Sequence, residues 1–152
     1  MKIDSRIKEK AEAMLASTQK NMGDALGIEF TMMGRDEMRA TMPVSENTVQ
    51  PFGILHGGAS VALAETLASV GAYLNIDDGS KTAVGLEINA NHIKPVRLGG
   101  KVVGIAKPLH RGASTQVWET RIETESGKLV CVSRCTLAVV NMRSPAPAKQ
   151  DD

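Results

Sequence analysis

Between residues 82 and 90 apolar and polar positions alternate: Val84, Leu86, Ile88 and Ala90 against Gly85, Glu87 and Asn89. A period of two is that of a strand with one buried face. Strand-like runs recur near 100–107, 114–124 and 129–141, parted by turn signals at Leu98-Gly99-Gly100, Arg111-Gly112-Ala113 and Ser126-Gly127. Two shorter runs, near 27–33 and 37–43, meet at Gly34-Arg35-Asp36. Helical spacing governs the rest. Ile3, Ile7, Ala11, Met14 and Leu15 share one stripe over 3–20, with Asp4 or Ser5 able to cap its start and Asn21-Met22-Gly23 closing it. After an irregular stretch over 44–56, a long helix is expected at about 57–74. It is apolar nearly all round, so the sheet must curl about it rather than cover one side. The order of elements predicts an α+β fold in which a long central helix is wrapped by a curved antiparallel β-sheet.

The chain of 152 residues fits one core. The expected organisation is an N-terminal helix in 1–23, a domain over 24–143, and a tail over 144–152 that has nothing to bury and is expected to be disordered. Apolar content of 42% and a net charge of +1 give no global reason to expect nucleic acid or a membrane as partner. The N-terminus lacks the apolar run of a signal peptide, and the run Gly57–Leu74 carries Glu65 in its middle, which argues for a buried helix rather than a membrane span. Cys131 and Cys135 lie four apart in one strand, about 13 Å, too far for a disulfide. Reduced core cysteines suit a cytoplasmic protein. His56, His92 and His110 lack ligand spacing, so no metal site is expected.

Glu65 stands among Ala, Val, Leu and small polar residues, and no Lys or Arg occurs between Arg39 and Lys81 to neutralise it. Burying an unpaired carboxylate costs on the order of several kcal/mol, a cost usually retained for a function. The alternative is a Glu on a solvent stripe, or one paired with a distant cation. Ser69, one turn along the same face, is placed to orient that carboxylate or an attacking water, or else to bond back to its own helix. His56-Gly57-Gly58 leads into the helix, where the first amides have no internal partners, sit at the positive end, and can be approached closely across glycine. These amides, with Gln50, make a candidate oxyanion hole. Gly57 and Glu65 are eight residues apart, about 12 Å along the axis. An oxyanion donor and a catalytic carboxylate must both lie about 3 Å from one reacting centre. Two chains packed antiparallel along this helix satisfy that, so a homodimer with shared sites is expected. Finally, Ile88 through Trp118 contains no Asp or Glu but holds Lys94, Arg97, Lys101, Lys107 and Arg111 beside His92 and His110. That block fits a mouth gripping phosphates, or a set of solvated strand ends.

Gln50, His56-Gly57-Gly58, Glu65, Ser69, the run Gly85 to His92, and Pro108-Leu109-His110-Arg111-Gly112 with Val117-Trp118 together resemble the hotdog-fold acyl-CoA thioesterases. The branch is the one whose carboxylate sits on the central helix. It includes the 4-hydroxybenzoyl-CoA, 1,4-dihydroxy-2-naphthoyl-CoA, phenylacetate-degradation and siderophore-proofreading thioesterases. The resemblance covers residues 24–141. It implies Glu65 as nucleophile or general base, the Gly57 amide and Gln50 as donors to the thioester oxygen, His56 as support for that loop, and Ser69 as an aid to Glu65 or its water. It further implies substrate and CoA contacts from Val84, Asn91, His92, Lys94, His110, Arg111 and Gly112. A homodimer, commonly doubled to a tetramer, is implied too. The CoA thioester is then the substrate, an aryl-CoA by branch, and no other cofactor is required; an acyl-carrier-protein thioester is the other source of the same bond. Two rival functions remain on this fold: a hydratase or dehydratase using His56, and a non-catalytic acyl-CoA-binding protein.

Overall fold

The computed structural model describes residues 1–142, so the tail expected over 144–152 lies outside the described residues. The apolar run folds as one helix, α3, over Gly57–Leu74. Around it are β2 (Glu29–Met33), β3 (Met38–Pro43), β4 (Lys81–His92), β5 (Lys101–Arg111), β6 (Thr115–Thr124) and β7 (Leu129–Asn141), with β1 (Lys2–Ile3) ahead of them. They form one seven-stranded sheet in the order β1-β2-β3-β5-β6-β7-β4. Every pairing is antiparallel except β1 with β2, so the sheet is mixed rather than purely antiparallel. β4 ends the sheet, with one edge free.

α3 lies across β3, β4, β5, β6 and β7. Its buried stripe runs through Ala59, Ser60, Leu63, Ala64, Leu67, Ala68, Gly71, Ala72 and Leu74, the three- and four-residue spacing of one helical face. Burying Leu63 and Leu67 completely contributes about 1.5–3 kcal/mol each. Two glycines make the approach close enough. A Cβ on Gly104 of β5 would stand 2.5 Å from Leu67 Cδ1, and one on Gly71 would stand 2.7 Å from the buried Trp118 ring. Trp118 Nε1 donates to Gln116 Oε1 at 3.0 Å, and Gln116 Nε2 donates to the Ala72 carbonyl at 3.3 Å, which ties the sheet to the helix backbone.

Three sequence expectations change. The helix is not enclosed on every side: Ala62, Thr66, Ser69, Val70 and Tyr73 are half-buried, and Glu65 is exposed. The sheet covers one face, and the other, which also carries Val70 and Tyr73, meets the N-terminal segment instead. The N-terminal helix is shorter than 3–20. Ile3 belongs to β1, a 3-10 turn covers Ser5–Ile7, and α1 covers only Lys8–Leu15. Asn21 does not close it but opens a new short helix, α2 (Met22–Leu26), through a capping box with Asp24, and Gly27 ends that helix at φ 69°. In β4 the alternation reverses at a bulge between Gly85 and Glu87, which leaves Leu86 without a partner. Ala83 before it and Ile88 and Ala90 after it pack on the core, while Val84 and Leu86 are exposed. A strict period of two would turn those two inward.

Cys131 and Cys135 are free and buried. Burial, and then the charges of Glu65 and Glu87, push the Cys135 thiol up to about 11. No helix among the described residues is long and apolar enough to cross a membrane.

Gly71→Ala is expected to destabilise the fold by about 1–3 kcal/mol through overpacking against Trp118, more than the ~1 kcal/mol that alanine returns in helix propensity. Gly79→Ala, with open space around its Cβ, is expected to leave the urea midpoint within about 0.5 kcal/mol of the parent. Denaturant titration of both variants checks the contrast.

Candidate active site

The chain enters α3 through a turn that leaves one amide idle. The His56 N–H donates to the Thr48 carbonyl at 2.8 Å, and the Leu55 N–H to the Val96 carbonyl at 2.8 Å. His56 is the N-cap: its Nδ1 accepts from the Gly58 N–H at 2.8 Å, which puts the proton of the neutral ring on Nε2. The Ala59 and Ser60 amides both reach the His56 carbonyl. The Gly57 N–H alone makes no hydrogen bond among the described residues. It points from the positive end of an 18-residue helix.

That amide opens into a cleft of about 330 Å³ lined by Gln50, Gly57, Ser60, His92, Lys94 and Val130, among others. Gln50 Oε1 accepts from the Phe52 N–H, so its amide NH₂ is the free end, a donor like Gly57. His92, the last residue of β4, packs on the bare Gly57 backbone, where a Cβ would stand 2.8 Å from its Nε2. Lys94 follows with its backbone held to the Val130 carbonyl and its side chain exposed. The fold thus brings Gln50 and Gly57 beside His92 and Lys94, two segments far apart in sequence. Sequence reasoning missed Ser60, which lines the same cleft while buried to 2% exposure. Its signal was its place three residues beyond Gly57, on the same helical face.

Glu65 is elsewhere. It stands two turns further along α3, over Gly85 of β4, where an added Cβ would meet its Oε1 at 3.2 Å. It does not line the Gly57 cleft and forms no ion pair among the described residues. It is exposed rather than enclosed, because β4 is the last strand and nothing of this chain lies beyond it among the described residues. Ser69 shares its helix face but makes no hydrogen bond to it among the described residues; it borders a groove beneath α1 with Met14, Val70 and Tyr73. Asn91 is exposed on β4, one residue before His92 and so on the opposite face of the strand. Val84 likewise faces away from α3 and from Glu65, since Ala83 and Gly85 face the helix.

The basic block does not form one patch. β5 separates its ends by roughly 33 Å. Lys94, Arg97 and Lys101 lie toward the α3 N-terminus, tied to the cleft by the Ile54–Arg97 bridge, and none of them has an ion pair among the described residues. Lys107, His110, Arg111 and Gly112 lie toward its C-terminus. There Lys107 pairs with Glu37 at 3.1 Å and Arg111 with Asp36 at 2.8 Å. Arg111 also donates to Asn75 Oδ1 at 3.0 Å and to the Arg35 carbonyl at 2.8 Å. Its guanidinium holds the Asp36 carboxyl below its ordinary range. Acids supplied by the β2–β3 turn neutralise cations that look unopposed when only their own segment is counted. Among the described residues no cluster of three or more His, Cys, Asp or Glu side chains is placed to hold a metal ion.

A long helix laid across one seven-stranded sheet is the hotdog architecture, and the relatives with which the chain shares it make it a hydrolase of thioesters. The profile of the thioesterase superfamily matches residues 52–131, and this chain belongs to that family. It is 50% identical over 129 residues to the 1,4-dihydroxy-2-naphthoyl-CoA hydrolase of Escherichia coli, spanning 85% of this chain and 93% of that one. It is 48% identical over 129 residues to the proofreading thioesterase EntH of Cronobacter turicensis, with coverage of 85% and 93%. A crystal structure of a thioesterase from Haemophilus influenzae superposes with a TM-score of 0.79 at 49% identity, covering 89% of this chain and 92% of that chain.

Gly57→Ala is expected to displace the His92 ring and to lower thiol release by about 10- to 100-fold, the scale of a small misplacement of reacting groups. Imidazole NMR signals and a thiol-release assay check it. A parental rate with His92 moved would separate this cleft from the chemistry.

Proposed function

We propose that the protein hydrolyses an acyl-CoA, an aryl-CoA in particular, to the free acid and CoA in the cytoplasm, at sites completed by two copies of the chain. One observation carries the reading: the idle Gly57 amide and the unpaired Glu65 lie on one helix about 12 Å apart, each lacking what the other supplies. The free edge of β4, with Val84 43% and Leu86 62% exposed beside it, supports a second copy lying along this strand. The relatives' names support the thioester class, and the aryl preference comes from the naphthoyl-CoA relative.

In such a site the Gly57 amide of one protomer and the Gln50 NH₂ polarise the thioester carbonyl and take up the charge that develops on its oxygen. Glu65 of the other protomer supplies the carboxylate. It either attacks the carbonyl carbon, expelling the CoA thiolate and forming an anhydride that water opens, or removes a proton from the water that attacks instead. In either case the thiolate leaves with the C–S electron pair and gains a proton, and the carboxylic acid departs. His56 holds the loop by capping α3, and Ser69, one turn from Glu65, steadies the carboxylate or its water. Asn91, His92 and Lys94 receive the CoA arm, with Arg97 and Lys101 as further unpaired cations for its phosphates. Val84, His110, Arg111 and Gly112 stand away from the cleft of their own chain. Their contacts to substrate are therefore to sites completed by another subunit, which suits a dimer of dimers.

Glu65→Gln keeps the shape and removes the charge. Across a panel of aryl and alkyl CoA esters, thiol release is expected to fall at least about 10²-fold relative to the parent. Near-equal rates would remove Glu65 from the mechanism, and alkene formation from a 3-hydroxyacyl-CoA without thiol release would make the protein a dehydratase.

A further inference from the structure

Ser60 is the polar residue of the Gly57 cleft that the reaction above leaves without a part. It is the fourth residue of α3, 2% exposed, on the stripe that the sheet covers. Further along that stripe the small residues are Ala64, Ala68 and Ala72, which pack closely and have no polar side-chain atom to satisfy. Alanine would serve at position 60 in the same way. A buried hydroxyl that makes no hydrogen bond costs stability, so a serine here calls for a partner.

The chain does not supply one. A helical serine or threonine ordinarily bonds back to the carbonyl four residues earlier. Thr66 does so, donating to the Ala62 carbonyl at 2.7 Å. Ser60 is denied that bond, because the two lone pairs of the His56 carbonyl already accept from the Ala59 and Ser60 amides, at 3.0 and 3.2 Å. The Ser60 Oγ makes no hydrogen bond among the described residues. Ser133 Oγ is likewise unpaired, but it is sealed from solvent. Ser60 instead borders open space, the cleft of about 330 Å³.

Its direction follows from the helix. Side chains lean toward a helix N-terminus, so Ser60, three residues beyond Gly57 on the same face, covers the turn that begins with the idle Gly57 N–H. Glycine puts no side chain between the two. The cleft therefore holds three donors that lack acceptors among the described residues: the Gly57 N–H, the Gln50 NH₂ and the Ser60 O–H. A carbonyl oxygen has two lone pairs and gains a third when its carbon becomes tetrahedral. Three donors thus match the oxyanion better than the flat thioester, the condition for speeding the chemical step. We propose that Ser60 is a catalytic residue whose hydroxyl donates the third hydrogen bond to the thioester oxygen as the carbon becomes tetrahedral. This rests on the assignment of the Gly57 cleft above. The hydroxyl keeps its proton throughout, and its bond to the oxygen weakens as the carbonyl re-forms and the thiolate leaves.

The test measures Tm, and kcat and KM for thiol release from benzoyl-CoA, in the full-length chain. Ser60→Ala removes a buried hydroxyl that has no partner in the resting protein, so Tm is expected to hold or rise. Its kcat is expected to fall about 10- to 100-fold, with KM within about twofold of the parent, the pattern of a bond made only in the transition state. Ser60→Cys fills the same space with a weak donor and is expected to lose kcat as well. A kcat within about twofold of the parent in either variant, a loss confined to KM, or a loss matched by a lower Tm would each overturn the donor role. Gly57→Ala is run alongside. If it loses activity while Ser60→Ala keeps the parental kcat, the donor role falls and the cleft stands; if neither changes thiol release, the cleft is not the reacting site. A benzoyl ester mapped to Ser60 by mass spectrometry would make the serine a nucleophile and overturn the proposal.

Discussion

The rigidity of one helix dictates how this site can be built. α3 carries an unoccupied amide at its first residue and an unpaired carboxylate two turns later, and an α-helix cannot bend those groups toward each other. The sheet makes the separation firm. Leu63 and Leu67 are locked against Gly104, and Gly71 against Trp118, so α3 has one seat on the sheet and the Gly57 amide and Glu65 have fixed positions. A single chain thus holds the amide at the start of the rod and the carboxylate near its middle, about 12 Å apart.

Most of the architecture is legible in the sequence because strands and helix carry strong periodic signals. The bounds of α3 agree with the apolar run from Gly57 to Leu74, and β6 and β7 agree within a residue with the runs between turn glycines. The failures have local causes. The bulge at Leu86 shifts the parity of β4, which a two-residue pattern cannot register because it adds one residue without changing composition. Asn21 is as good an N-cap as a helix stop, and Asp24 three residues later decides in favour of the cap.

The site is legible in part. Gln50, Gly57, His92 and Lys94 do converge, and Glu65 is unpaired, as its surroundings in sequence imply. Its exposure is not legible, since burial depends on where the sheet ends, and strand order is a long-range property. The split of the basic block has the same origin: Asp36 reaches Arg111 across 75 positions of sequence, and Glu37 reaches Lys107 over a similar span. The apolar pattern of α3 asks for cover from the sheet on its outer face as well. That face receives instead an arm pinned by Lys10 to backbone carbonyls, a contact no hydrophobic pattern announces.

Subunit complementation tests the shared site most directly. Inactive Glu65→Gln chains and impaired Gly57→Ala chains are purified separately, mixed, allowed to exchange subunits, and assayed for thiol release. A hybrid dimer holds one site with both lesions and one with neither. Recovery to about a quarter of parental activity is expected after random exchange. A fully exchanged mixture no more active than the average of its two components would rule out a site shared between protomers.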